Sequence, residues 1–96
     1  MGTVRDRDYS RAGEVDGNTI RDVNQSKVGE MDGNTVRDRD WRNVGTIDGE
    51  VVRDADWRKV GQIDGTMIRD ADWTRVGEVE DETDAPAGAA LLLLLS

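Results

Sequence analysis

The chain has 96 residues, 35% of them apolar, with no cysteine, no histidine, no phenylalanine and a formal charge of −8. That length permits one domain, and the missing cysteines remove disulfides as the support a small core usually needs, leaving oligomerisation or a compact repeat architecture. The 21 acidic residues outnumber 13 basic ones that form no tract, which argues against nucleic acid or anionic lipid as a partner.

The first residues, Met1-Gly2-Thr3-Val4-Arg5-Asp6, lack the apolar region of a signal peptide and fail the myristoylation pattern at Asp6. A cytoplasmic protein is therefore expected, with surface or membrane association through the C-terminal tail left open.

From Val4 onward the chain repeats with a period of 16. Arg5, Arg21, Arg37, Arg53 and Arg69 recur at that step, each followed by Asp. Gly13, Gly29, Gly45, Gly61 and Gly77 keep it too, as do the aliphatics Val4, Ile20, Val36, Val52, Ile68 and Val15, Met31, Ile47, Ile63, Val79. Such self-similarity marks a repeat fold, in which each unit buries its apolar face against its neighbours. The repeat domain is placed at 1–83, with units 4–19, 20–35, 36–51, 52–67 and 68–83.

Within a unit, Asp-Gly separates two short apolar segments, the pattern of a two-residue hairpin turn with positive φ. The turns are assigned to Asp16-Gly17, Asp32-Gly33, Asp48-Gly49 and Asp64-Gly65. With Asp64-Gly65 as the two central residues, Ile63 lies opposite Thr66, Gly61 opposite Ile68, and Val60 opposite Arg69. Gly61, Ile63, Thr66 and Ile68 then share the core face, and Val60, Gln62, Met67 and Arg69 the outer one. The link Arg69-Asp70-Ala71-Asp72-Trp73 turns the chain again, with Asp suited to Asx turns. No segment carries a helical apolar stripe, so the repeat region reads as all-β.

The phase of the repeat is informative. Thr3-Val4-Arg5-Asp6 is a second strand without a first, and Val76-Gly77-Glu78-Val79 is a first strand whose Asp-Gly has become Glu80-Asp81. Pairing these half-hairpins would make a fifth hairpin and close a flower- or propeller-like ring, removing two exposed edges. Closure is expected.

Tandem V-G-x-I-D-G-x-V-R-D units ending in an apolar tail resemble the bacterial beta-flower repeat proteins. The resemblance covers Val4 to Thr83, and the Gly88–Leu95 segment is similar to the tails of that family. It implies β-hairpins set as petals around a pseudo-symmetry axis, and supplies no catalytic residue to carry over. Repeat two departs from the pattern, with Val23-Asn24-Gln25 in place of x-Asp-Trp or x-Asp-Tyr.

Chemistry-bearing groups are few. Ser10, Ser26 and Ser96 have no histidine to activate them, so no catalytic residue is assigned and no enzyme is expected. No cofactor is implied. The best metal candidates are the D-x-D pairs Asp6 and Asp8, Asp38 and Asp40, Asp54 and Asp56, and Asp70 and Asp72. Calcium wants six to eight oxygens, and each pair sits beside arginine, so turn-forming and salt-bridging Asp without metal is the expectation. Tyr9, Trp41, Trp57 and Trp73 share one repeat position; cation–π packing between petals is expected of them, with a glycan-stacking rim as the alternative. The five arginines lie opposite the core face, where Arg–Asp ladders are the plain account and an axial anion site the sharper one.

After Asp84, residues 84–90 read as a flexible linker and 91–96 as an apolar tail holding every leucine of the protein, Leu91, Leu92, Leu93, Leu94 and Leu95. The apolar run Ala89–Leu95 falls far short of the roughly 20 residues a spanning helix needs. The tail is expected to plug its own flower or an oligomer; docking on a partner or in a filament, and a weak membrane contact without basic flanks, are the other readings. The function read from sequence is a non-catalytic structural or interaction module that self-associates as a homo-oligomer or filament. The alternative is a ligand-binding module, with calcium at the D-x-D turns or a glycan at the Trp rim.

Overall fold

The structure, a computed structural model, describes residues 2–95; Met1 and Ser96, the outer ends of the expected repeat domain and tail, lie outside the described residues. Ten strands follow one another: β1 (Gly2–Asp6), β2 (Arg11–Asp16), β3 (Thr19–Asp22), β4 (Lys27–Asp32), β5 (Thr35–Asp38), β6 (Asn43–Asp48), β7 (Val51–Asp54), β8 (Lys59–Asp64), β9 (Met67–Asp70) and β10 (Arg75–Val79). A 3₁₀ turn at Glu82–Asp84 leads into helix α1 (Ala85–Leu93). Every strand pairs antiparallel with its sequence neighbours, and β1 pairs with β10, so the sheet closes into a barrel with no free edge.

The closure has the same register as the internal hairpins. Val4↔Val79, Arg5↔Glu78 and Asp6↔Gly77 at the junction of the ends match Ile68↔Ile63, Arg69↔Gln62 and Asp70↔Gly61 in the fourth complete hairpin. Even the charge pairing is rebuilt there. Arg5 meets Glu80 at 3.3 Å, as Arg69 meets Asp64 at 3.4 Å across its own turn. A chain that begins on a second strand and ends on a first one thus supplies its own fifth petal.

The hairpin turn sits one residue later than the Asp-Gly reading places it. Asp64 pairs with Met67 and Ile63 with Ile68, so Gly65 and Thr66 are the central pair. Gly17, Gly33, Gly49 and Gly65 have φ of 64–65°, while the residue after each is not in the positive-φ region. That is the II′ pattern, which needs glycine only at its first position, rather than I′. Moving a two-residue turn by one position shifts the pairing by two, which preserves the faces. Gly61, Ile63 and Ile68 are buried as expected, whereas Thr66 is half-buried in the turn itself.

Five cross-strand pairs line the interior: Val15–Ile20, Met31–Val36, Ile47–Val52, Ile63–Ile68 and Val79–Val4, all buried. Between petals each ladder carries a bulge. Val52 pairs with Gly61 but Arg53 with Lys59, leaving Val60 as the extra residue. The bulge turns Val60 from its expected outer position to pack, half-buried, against the core, and adds the bend a narrow closed ring requires.

The expected linker is not a loop. Ala85, Ala87, Gly88, Ala89 and Ala90 are buried residues of α1. Pro86 stands in the first turn, where its fixed φ suits a helix start and its missing N–H costs nothing. Small side chains let the helix pass the strand ends closely; a Cβ on Gly88 would run into Val79. A helix apolar on every side has one stable place, inside the protein.

Candidate functional site

Two regions hold the side chains singled out by the sequence. The first is the axis. The period-keeping glycines are buried on the inner face near one end of the barrel, and each is met by a different tail leucine. A Cβ built on Gly13 would lie 2.6 Å from Leu91, on Gly77 2.5 Å from Leu92, on Gly61 2.5 Å from Leu93, on Gly45 2.6 Å from Leu94 and on Gly29 2.7 Å from Leu95. Glycine is thus required there for space, since any side chain would occupy a leucine's seat and also strike a carbonyl of the next strand. Leu91 is buried and the other four are half-buried. Successive leucines visit successive petals in one direction around the ring. To do so the end of α1 loosens: the N–H groups of Leu94 and Leu95 both donate to the Ala90 carbonyl at 2.9 Å.

The second region is the rim of five loops joining one petal to the next. In the loop after β5, the Asp38 carboxylate accepts from the N–H groups of Asp40 (2.9 Å) and Arg42 (3.0 Å). The Trp41 N–H donates to the Asp38 carbonyl at 2.9 Å. Trp41 is then forced to φ 70°, and Arg37 reaches over to donate to its carbonyl at 3.1 Å, with the guanidinium 5.1 Å from the centroid of the indole. Asp6, Asp22, Asp54 and Asp70 organise the other loops in the same way. Arg5–Tyr9, Arg53–Trp57 and Arg69–Trp73 repeat the stack at 4.7–5.3 Å. The cation–π contacts therefore form at four of the five loops, each with the arginine four residues earlier on the strand that enters the loop, not between petals as expected from sequence. These aromatic residues remain about half exposed, at 49–56%.

The family described as 5-fold beta-flower protein matches residues 1–92. The chain belongs to that family. No curated protein and no solved structure matches it. Membership makes this flower a structural repeat module, all-β, with five hairpins closed into one ring.

Seen on the flower, the sequence candidates separate cleanly. Leu91–Leu95 gather on the axis. Asp16, Asp32, Asp48 and Asp64 end the first strand of each petal, and Gly17, Gly33, Gly49 and Gly65 open the turn that follows. Asp32, Asp48 and Asp64 pair with Arg37, Arg53 and Arg69 at 3.1–3.5 Å on the outside of the barrel, which puts those arginines away from the axis. Of the D-x-D pairs, Asp38, Asp54 and Asp70 spend a carboxylate oxygen on two backbone N–H groups each, while Asp40, Asp56 and Asp72 stand exposed with no side-chain partner among the described residues. Among the described residues no three acidic side chains converge as a metal site would need, and no helix is long and apolar enough to cross a membrane. Two carboxylates are held below their ordinary range. Glu14 is lowered chiefly by the hydrogen bond from Gln25 (2.7 Å), against a desolvation penalty, with Arg11 adding to the effect. Asp81 is lowered by the backbone and side-chain hydrogen bonds from Thr83.

Sequence reasoning missed the one-to-one match of glycines and leucines. The signal was present: five glycines keep the period and five leucines close the chain.

Proposed function

We propose that the protein is a non-catalytic structural module whose leucine tail acts as the plug of its own ring. The observation that carries this reading is the seating of Leu91, Leu92, Leu93, Leu94 and Leu95 at five glycines on five different petals. A surface meant for another molecule would not be consumed five times over by the same chain. Burying a leucine contributes about 1.5–3 kcal/mol when complete, so the tail is a major part of a core otherwise made of ten strand aliphatics and four helix alanines. The absence of histidine and cysteine, with Ser10 and Ser26 in exposed loops, supports a non-catalytic role.

Light scattering and circular dichroism on the full chain and on a chain ending at Asp84 test the reading. A plug predicts a folded monomer for the full chain, and for the shortened chain a lower melting temperature with aggregation through the uncovered lining. A full-length oligomer that the truncation converts into a folded monomer would make the tail a contact between subunits and overturn it.

A further inference from the structure

We propose that the loop rim is a multivalent carbohydrate-binding surface, with Tyr9, Trp41, Trp57 and Trp73 as stacking plates and Asp8, Asp40, Asp56 and Asp72 as hydroxyl acceptors. The inference is independent of the role of the tail.

The backbone of the loop does not call for an aromatic residue. Tyr9, Trp41, Trp57 and Trp73 have φ of 65–72°, a region that large side chains enter at a cost on the order of 1–3 kcal/mol and that glycine or asparagine enters cheaply. Repeat two is an internal control. Gln25 holds the same position at φ 69°, with the same carbonyl bonded to Arg21 (3.1 Å) and the same Asx turn at Asp22. The loop therefore forms without the ring. That loop also carries Asn24 where the others carry Asp. Plate and carboxylate are present together in four loops and missing together in the fifth, as the two halves of one site should be.

A full loop offers the groups a pyranose needs. Arg37, Arg53 and Arg69 lie over their indoles, and Arg5 over the Tyr9 ring, while each aromatic residue stays about half exposed. An open aromatic face accepts the C–H face of a sugar, where the weakly positive hydrogens meet the negative π face. The carboxylate of the residue before each ring is exposed and has no side-chain partner among the described residues, so it can accept from vicinal hydroxyls. An apolar peptide would bury that carboxylate without giving it a donor, which is costly. A polyanion would meet a chain of charge −8, which repels it. A neutral polyhydroxylated ligand satisfies both halves of the site.

Four such sites on a body 29 Å across act on a repeating polymer by avidity rather than by single-site strength. The test is retention of the full chain on beads of agarose, dextran, mannan and chitin, with release by soluble oligosaccharide of the matching sugar. Retention on at least one matrix, released by that oligosaccharide and not by salt, is the expected result. The W41Q/W57Q/W73Q variant should keep its circular dichroism spectrum and melting curve, since Gln25 already occupies the same position. Its apparent affinity should fall on the order of tenfold or more as valency drops from four to one. The N24D/Q25W variant should bind more tightly by adding a fifth site. Passage through all four matrices, release by salt alone, or undiminished retention of the folded triple variant would each overturn the proposal.

Discussion

Replacing Gly61 by alanine tests whether the leucine tail is held petal by petal. The new methyl carbon would lie 2.5 Å from Leu93 Cδ1 and closer still to the Arg69 carbonyl oxygen, where ordinary contact between carbons is about 3.5–4.0 Å. Leucine and strand must both give way, and such overpacking costs about 1–3 kcal/mol, less about 0.4–1 kcal/mol recovered from the stiffer unfolded chain. A net loss of about 1–2 kcal/mol lowers Tm by about 4–16 °C at this chain length. Leu93→Ala alone, at a half-buried site, should cost about 1–2 kcal/mol. The double variant is the decisive one. With Leu93 shortened, its share of the clash disappears while the Arg69 carbonyl remains, so the pair should be less destabilised than the sum by about 0.5–1.5 kcal/mol. Urea unfolding followed by circular dichroism measures all three. As a control, Gly45→Ala with Leu93→Ala joins residues that do not meet, since Leu94 takes the Gly45 seat. Additivity for Gly61 with Leu93, or equal coupling in the control, would refute the one-to-one seating.

Other outcomes follow from the same structure. Leu91→Ala, at the one tail leucine that is buried rather than half-buried, should cost about 2–5 kcal/mol, more than the same change at Leu94; thermal melts compare them. Glu80→Gln removes the partner of Arg5, an exposed pair at 3.3 Å, and should change stability by less than about 1 kcal/mol, with the difference vanishing in high salt; a large effect would mean closure depends on that charge. Asp81 and Glu14 have folded-state values below their ordinary 3.8 and 4.5. Their stabilising contributions are therefore complete above those values and fade as pH falls through the lowered ones. Asp81→Ala should lower Tm at pH 7 and lose most of that effect in strong acid, which melts across a pH series would show.

The ring was legible in the sequence because one observation constrained it from both ends. A 16-residue period fixes equivalent positions, and the unmatched half-hairpins at Val4 and Val79 name their own partners. The turn was legible in kind but displaced in position, because Asp-Gly satisfies the I′ signal while Gly-x satisfies II′, and glycine alone does not choose between them. The bulge at Val60 left no trace in its own residue; it follows from fitting six-residue strands such as Lys59–Asp64 beside four-residue ones such as Val51–Asp54. At the rim, sequence reading found the aromatics and placed their partners on the wrong side. The arginine that matters is four residues earlier, on the strand that enters the same loop.

The tail was the least legible segment, and the mismatch between its symmetry and that of the ring explains why. An α-helix advances about 100° per residue, while a five-fold ring advances about 72° per petal. No amphipathic pattern written for a helix can keep step with such a ring, so a patterned tail would aim some of its polar residues at the core. A run of identical leucines avoids the problem, since every direction it faces is apolar. The last turn then loosens toward an i−5 bond at Leu95, which lowers the advance per residue toward what the petals require. The uniformity that makes Leu91–Leu95 look like low-complexity sequence is thus what lets one asymmetric helix serve five equivalent sockets. A single polar residue anywhere in the run should therefore be unwelcome, whichever petal it faces.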